Sequence, residues 1–322
     1  MNHGEKALKL LVTRKLPEAA EQAFARSFSC TFNASDKPMT SNEIIASAEG
    51  CDGLVITSMD KFGADLLKAL PASVRIIATV SVGHEHIDHL AAKAREIITT
   101  NTPGVLTDAT ADIALLLILG AARGAYWGER MIREDRWPPA SIVTPLGHDV
   151  SGRRLGIVGM GRIGQAVAKR ARAFGMTIHY HNRKPVADAG DATYHDTFEG
   201  LLPQCDFLSI NCAMTPETKG MVNGKSLALM PKGAIVVNTS RGGIVDDDAL
   251  IAALKSGHIA AAGLDVFANE PNLDPRYREL ENVFLLPHLG SATLNTRTNM
   301  GLRAFANIKA FAQGQKPQDQ FN

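Results

Sequence analysis

One stretch constrains this chain more than any other. Residues 155–158 read Leu-Gly-Ile-Val, run into Gly159-Met160-Gly161-Arg162-Ile163-Gly164, and continue as Gln165-Ala166-Val167-Ala168. This is a GxGxxG loop between a strand-like and a helix-like segment, the context in which the motif has a mechanism. The first glycine permits the tight turn, the second lets the backbone approach a pyrophosphate, and the third lets helix and strand pack closely. The helix N-terminus adds free N–H groups and the positive end of its dipole. The competing reading, a glycine turn without a ligand, loses ground because the surroundings are right as well. Strand-like segments at 155–158, 177–181, 207–211, 234–238, 261–264 and 283–286, with helical stretches between them, give the six strands of a doubly wound dinucleotide-binding sheet.

The residues upstream repeat the rhythm on a smaller scale. Segments 8–12, 54–57, 75–80 and 97–100 read as strands, with helical character at 17–27 and 63–69. The length of 322 residues fits two domains. Asn101-Thr102-Pro103-Gly104 has strong turn chemistry and precedes an apolar helix. His288-Leu289-Gly290-Ser291 is the candidate return crossing, after which a helix over 292–313 packs back on the first domain. The expected fold is therefore α/β, two Rossmann-like doubly wound parallel-sheet domains with the cofactor domain inserted in the substrate domain. The outer, flavodoxin-like domain takes residues 1–101 and 290–322, and the insert takes 102–289.

Charge and composition exclude several classes. Lys and Arg number 34 against 33 Asp and Glu, a net of +1 that argues against a dedicated nucleic-acid binder. The apolar run 113–122 is too short to span a bilayer and reads as a buried helix. The start, Met1-Asn2-His3-Gly4-Glu5-Lys6, lacks the apolar core of a signal peptide. Cys30, Cys51, Cys205 and Cys212 have no metal spacing and read as free thiols of a reducing compartment, the cytoplasm. The neutral total hides a local excess, since residues 151–190 hold eight basic residues and one acidic, or +7. Lys169, Arg170 and Arg172 are read evenly as a solvated helix face or as part of a functional field.

The end of the second strand after the glycine loop chooses the dinucleotide. An Asp or Glu there would bind the ribose hydroxyls of NAD. The chain instead has His181-Asn182-Arg183-Lys184. A neutral amide followed by two cations suits a 2′-phosphate, and guanidinium geometry suits it especially. NADP(H) is the expected cofactor, with NAD(H) as the alternative, and an ordinary basic turn is the competing reading.

Three further residues follow strands, on the edge where a doubly wound sheet binds ligands: Arg241 after 234–238, Glu270 after 261–264, and His288 after 283–286. Reducing a 2-oxo acid needs a hydride, a proton for the new alkoxide and a cation for the carboxylate. His288 can supply the proton, and Glu270 beside it would favour the imidazolium. Arg241 can hold the carboxylate with its planar fork. Each alone has an ordinary explanation, a surface ion pair or a cap; the set is what carries chemistry. A metal site from His84, His86 and His89 is the weaker reading of that cluster, because no carboxylate or cysteine converges with them; no metal is expected.

These motifs together resemble the D-isomer-specific 2-hydroxyacid dehydrogenases over essentially the whole chain. The matching elements are Asn101-Thr102-Pro103-Gly104, the loop at 159–164, Asn238-Thr239-Ser240-Arg241-Gly242, Gly263-Leu264-Asp265-Val266-Phe267 with Glu270-Pro271, and Pro287-His288-Leu289-Gly290-Ser291. The resemblance implies that Arg241 binds substrate, Glu270 tunes the acid and His288 donates the proton. It places Thr107, Gly159, Gly161, Arg162, Ile163, Gly164, Asn182, Arg183, Lys184, Thr239, Asp265 and Gly290 at the cofactor, and the backbone of Val82 and Gly83 at the substrate carboxylate. The stretch 101–108 and the cations after Asn182 are similar to the glyoxylate/hydroxypyruvate reductase branch. The expected activity is NADPH-dependent reduction of glyoxylate to glycolate and of hydroxypyruvate to D-glycerate. The alternatives are a broader dehydrogenase for larger 2-oxo acids, admitted by an apolar wall at Met59, or a noncatalytic dinucleotide-sensing protein on the same fold. The resemblance also implies a homodimer through residues 124–150, with Trp127 and Trp137 as interface aromatics or as closures of the partner's pocket. Neither a nucleic acid nor a membrane is an expected partner.

Overall fold

A computed structural model describes residues 8–139, 141–143 and 146–322. The first six residues, read above for a signal peptide, lie outside the described residues. The chain forms two compact units, 1–106 with 292–322, and 107–291.

The first unit is a five-stranded parallel sheet of β1 (Lys9–Val12), β2 (Ser29–Phe32), β3 (Gly53–Ile56), β4 (Ile76–Thr79) and β5 (Ile98–Thr100). Its order is β2-β1-β3-β4-β5, a flavodoxin-like winding. Alternate side chains go to opposite faces. Leu54 and Ile56 join Leu11, Ile77 and Leu67 on one side. Val55 joins Leu10, Val12, Ile76, Phe24 and Ile308 on the other. The helices Glu18–Ser27 and Leu294–Ala312 cover that second face. They cross closely at Gly301, where a Cβ would lie 2.5 Å from that of Ala20. The late helix thus returns to the first unit.

The second unit is a seven-stranded parallel sheet: β6 (Arg154–Val158), β7 (Thr177–His181), β8 (Thr193–His195), β9 (Phe207–Ile210), β10 (Ala234–Asn238), β11 (Ile259–Leu264) and β12 (Val283–Leu285). The order is β12-β11-β10-β9-β6-β7-β8. The winding reverses between β6 and β9, so the carboxyl ends of these central strands flank the crevice where such sheets bind ligands. The helix Thr107–Arg123 buries Ala114, Leu117, Ile118 and Ala121 against the sheet. Among the described residues no single helix is long and apolar enough to cross a membrane.

Three expectations need correction. The second sheet has seven strands rather than six, and the first gains β2. Both additions are short edge strands, and β2 alternates between exposed and half-buried residues. The division between the units also falls later than expected. Asn101 and Thr102 are tied into the first unit by backbone bonds to Asp319 (3.3 Å) and Ser81 (2.8 Å). Gly290 stays with the second unit, because its carbonyl accepts from the Thr110 hydroxyl at 3.1 Å and its N–H donates to Asp265 at 2.8 Å.

Candidate active site

The glycine loop leaves β6 and enters the helix Arg162–Ala173. Gly159 has φ +93°, and a Cβ there would lie 2.5 Å from the Cys212 nitrogen. At Gly164 a Cβ would lie 2.2 Å from the Gly159 carbonyl oxygen, so the helix can rest on the turn only with glycine at that position. Gly161 differs from both, because a Cβ there meets nothing within 4 Å. The space beside it is open, and an approaching phosphate needs that space bare. Arg162 is exposed and Ile163 half-buried at the helix start. The loop therefore fits a dinucleotide pyrophosphate on geometry of its own.

Asn182 follows β7 and accepts a hydrogen bond from the Met160 N–H at 2.8 Å, which joins the strand end to the glycine loop. The Tyr194 hydroxyl donates to the Asn182 carbonyl at 3.2 Å, so β8 braces the same turn. Arg183 and Lys184 are exposed. The other cations of the +7 stretch divide. Arg170 pairs with Asp108 (3.0 Å) and Asp112 (2.6 Å), and Arg172 pairs with Asp191 (2.6 Å), whereas Lys169 is exposed. The two arginines hold neighbouring segments.

Glu270 and His288 meet. The imidazole Nδ1 lies 2.7 Å from Glu270 Oε2, while Glu270 Oε1 accepts from the Phe267 N–H at 2.8 Å. Burial works against the Glu270 charge, but His288, the Phe267 N–H and nearby Arg241 outweigh it and hold the carboxyl below the ordinary glutamate range. With Nδ1 committed, Nε2 is the nitrogen left for chemistry. Arg241 begins the turn after β10. Gly242 beside it packs so tightly on Phe267 and Ala268 that a Cβ would lie 2.0 Å from the Phe267 carbonyl carbon. That contact brings the arginine turn to the glutamate loop.

Two positioning roles went unread in the sequence, that of Asn238, quoted there only within a motif, and that of Asp265, expected there only to line the cofactor. Asn238, 1% exposed, donates to the Arg241 carbonyl and accepts from the Ser240 N–H, both at 3.0 Å. Asp265 clamps the His288 segment. Its carboxylate accepts from the N–H groups of Leu289 (2.6 Å) and Gly290 (2.8 Å), and its carbonyl accepts from that of His288 (2.9 Å). His288 itself sits at φ +55°, a left-handed conformation that is costly for a residue with a Cβ. An asparagine at the end of one strand and an aspartate just past another were the available signals.

Thr107 starts the helix Thr107–Arg123. The Thr239 hydroxyl is buried without a hydrogen-bond partner among the described residues, an unmet polar group at the end of β10. In the first unit, no acceptor among the described residues pairs with the Val82 or Gly83 N–H. Met59 is 53% exposed on a loop pinned by buried Asp60, which accepts from the Thr57 N–H and the Thr13 hydroxyl, each at 2.8 Å. His84 stacks on Phe321, and His86 bonds the Thr79 hydroxyl. Among the described residues no three His, Cys, Asp or Glu side chains converge as a metal would require.

Comparison with known proteins gives a consistent result. Residues 115–290 match the model of the D-isomer specific 2-hydroxyacid dehydrogenase NAD binding domain. The chain is 41% identical to a glycerate dehydrogenase of Hyphomicrobium methylovorum, over 95% of this chain and 96% of that one. It is also 41% identical to a glyoxylate reductase of Thermococcus litoralis, over 98% and 96%. Its fold resembles the crystal structure of an NADPH-dependent glyoxylate/hydroxypyruvate reductase from Sinorhizobium meliloti in complex with NADP and malonate. That match has a TM-score of 0.86 and 33% identity, and covers 98% of this chain and 97% of that one.

Proposed function

The chain belongs to the D-isomer-specific 2-hydroxyacid dehydrogenase family, and from that premise we propose that it is an NADPH-dependent reductase of glyoxylate and hydroxypyruvate. The observation that carries the reading is the His288–Glu270 pair at 2.7 Å with Arg241 close by. The names of the relatives support small 2-oxo acids as substrates.

In this reading the inserted unit holds the dinucleotide. The 159–164 loop takes the pyrophosphate, and Thr107, Thr239, Asp265 and Gly290 line the rest. Bound NADPH supplies the hydride. Arg241 and the N–H groups of Val82 and Gly83 bind the substrate carboxylate. His288 delivers the proton from Nε2 to the carbonyl oxygen, and Glu270 holds the ring in place and offsets its positive charge. Arg183 and Lys184 bind the 2′-phosphate, a preference supported by the missing carboxylate at Asn182 and by the NADP-bound neighbour.

Mixing the protein with NADPH and glyoxylate and following the loss of cofactor absorbance tests the proposal. Turnover is expected, with a higher kcat/KM for NADPH than for NADH; no turnover with either cofactor overturns it. Exposed Met59 favours a second reading, a wider pocket for larger 2-oxo acids, and a substrate panel separates the two. We also propose a homodimer through the 124–150 region. Exposed Ile132 (66%), Trp137 (76%) and Ile142 (96%) support it, and light scattering measures it. Four free cysteines favour the cytoplasm.

A further inference from the structure

Beyond the residues that touch substrate, we infer that Asn101, backed by the segment 319–322, is a positioning residue that aims the Val82 and Gly83 N–H groups. The inference rests on the proposal that these two groups bind the substrate carboxylate.

A trans peptide is planar, so a fixed carbonyl also fixes the N–H on the opposite side of the same plane. The Ser81 carbonyl shares its peptide with the Val82 N–H, and it accepts from the Thr102 N–H at 2.8 Å. The Val82 carbonyl shares its peptide with the Gly83 N–H, and it accepts from Asn101 Nδ2 at 2.8 Å. Both proposed donors are thus aimed by the adjacent pair Asn101 and Thr102. A second support reaches the loop from β4. The Ser81 hydroxyl donates to the Gly83 carbonyl at 2.7 Å. Its oxygen contacts the Thr79 hydroxyl at 2.8 Å, which in turn contacts His86 Nε2 at 2.9 Å. Each hydroxyl has one proton, so Thr79 donates to Ser81 and His86 Nε2 donates to Thr79.

Asn101 is itself held by the far end of the sequence. Its N–H donates to the Asp319 carbonyl, and its carbonyl accepts from Asn307 Nδ2 at 3.2 Å. Asp319 is 8% exposed and takes both arms of Arg303, at 2.6 and 2.9 Å, together with Asn307 at 2.9 Å. Beyond it the chain seals the open edge of β5. The Phe321 N–H donates to the Thr99 carbonyl at 3.1 Å. The Asn322 side chain imitates a peptide group, accepting from the Thr99 N–H at 2.9 Å and donating to the Ile97 carbonyl at 2.7 Å. The Phe321 ring then stacks on His84, next to the aimed loop, with centroids 4.2 Å apart. The bidentate pairing of half-buried Arg303 with buried Asp319 makes this a rigid strut and not a loose end.

Two variants test the inference, Asn101→Ala and Asp319→Ala, each with two readouts. The first readout is steady-state kinetics. Asn101→Ala is expected to raise the KM for glyoxylate about tenfold, the scale of one misdirected hydrogen bond. Its kcat should stay within about twofold and the KM for NADPH should not change, the signature of lost uniform binding. Asp319→Ala should act in the same direction. Damage to folding alone would instead lower kcat at an unchanged KM, and that result overturns the inference. The second readout needs no turnover, and follows the amide NMR signals of Val82 and Gly83 during titration with oxamate. Wild-type signals should shift, and the Asn101→Ala signals should shift only at higher oxamate. A wild type that responds and a variant that responds identically overturn the positioning role alone. A wild type whose two amides ignore oxamate overturns the carboxylate reading, and the inference with it.

Discussion

Asp265→Asn separates the geometry of the active site from the stability of the fold. Asp265 is fully buried and spends both carboxylate oxygens on the Leu289 and Gly290 N–H groups. Asparagine keeps one acceptor and turns an NH₂ toward the other N–H, which removes a hydrogen bond to a charged group, about 1.5–3 kcal/mol. A gain offsets part of that loss. Burial pushes the Asp265 carboxyl above the ordinary aspartate range, against the pull of the two N–H groups and of His288, so the carboxylate is costly where it sits and a neutral amide is not. The net loss should stay below about 2 kcal/mol, a fall of roughly 2–4 °C in Tm per kcal/mol for a unit of this size. Catalysis has no such offset. The clamp holds His288 at φ +55°, against about 1–2 kcal/mol of left-handed strain. Once it loosens, the imidazole shifts, and a displacement of about 1 Å can cost roughly a hundredfold in rate. The variant is expected to melt no more than about 8 °C below wild type, bind NADPH, and lose on the order of a hundredfold in kcat. Thermal unfolding, cofactor titration and steady-state kinetics measure all three. A folded variant with wild-type kcat would show that something other than Asp265 holds His288.

His288→Asn should remove most turnover while NADPH still binds, as read by fluorescence titration alongside kcat. Arg241→Lys should act mainly on substrate use, raising the KM for glyoxylate, because an ammonium cannot reproduce the bidentate fork; near-normal kinetics would remove Arg241 from the carboxylate. Replacing Arg183 and Lys184 together by serine should lower kcat/KM for NADPH by at least tenfold, leave that for NADH within about threefold, and weaken the salt dependence of NADPH binding. Glu270→Gln reads out the acid range. The folded pKa of Glu270 lies below its unfolded value, so its contribution to stability is present above the unfolded pKa and is lost as pH falls through the folded one. The stability gap between wild type and Glu270→Gln, from denaturant titrations across pH, should therefore shrink on acidification, and a gap that grows would reverse the assigned sign.

What could be read in the sequence follows from how local each constraint is. The glycine loop was legible because each glycine answers to a nearby obstacle or to the lack of one: the turn at φ +93°, the carbonyl 2.2 Å from Gly164, the open space at Gly161. That Arg241, Glu270 and His288 lie past strand ends was legible because the rhythm of the sheet was clear, and the structure adds that Glu270 and His288 meet. The strands β2 and β8 were not, since each is short and lies at a sheet edge, where little burial imposes a pattern. The crossings were misplaced because the bonds that fix them join residues far apart in the chain, such as Asn101 to Asp319. Charge was the least legible of all. Position after a strand sets Arg183 and Lys184 apart in the sequence, but nothing there foretells that Arg170 and Arg172 are bound to aspartates. The structure also sharpens the role of Asn182. Its Oδ1 is committed to the Met160 N–H, and among the described residues its Nδ2 has no acceptor. The strand end therefore presents a donor, followed by two cations, where a carboxylate would have presented an acceptor to ribose hydroxyls. A phosphate needs donors and positive charge, so an amide in place of a carboxylate at this position is what the proposed NADPH preference requires.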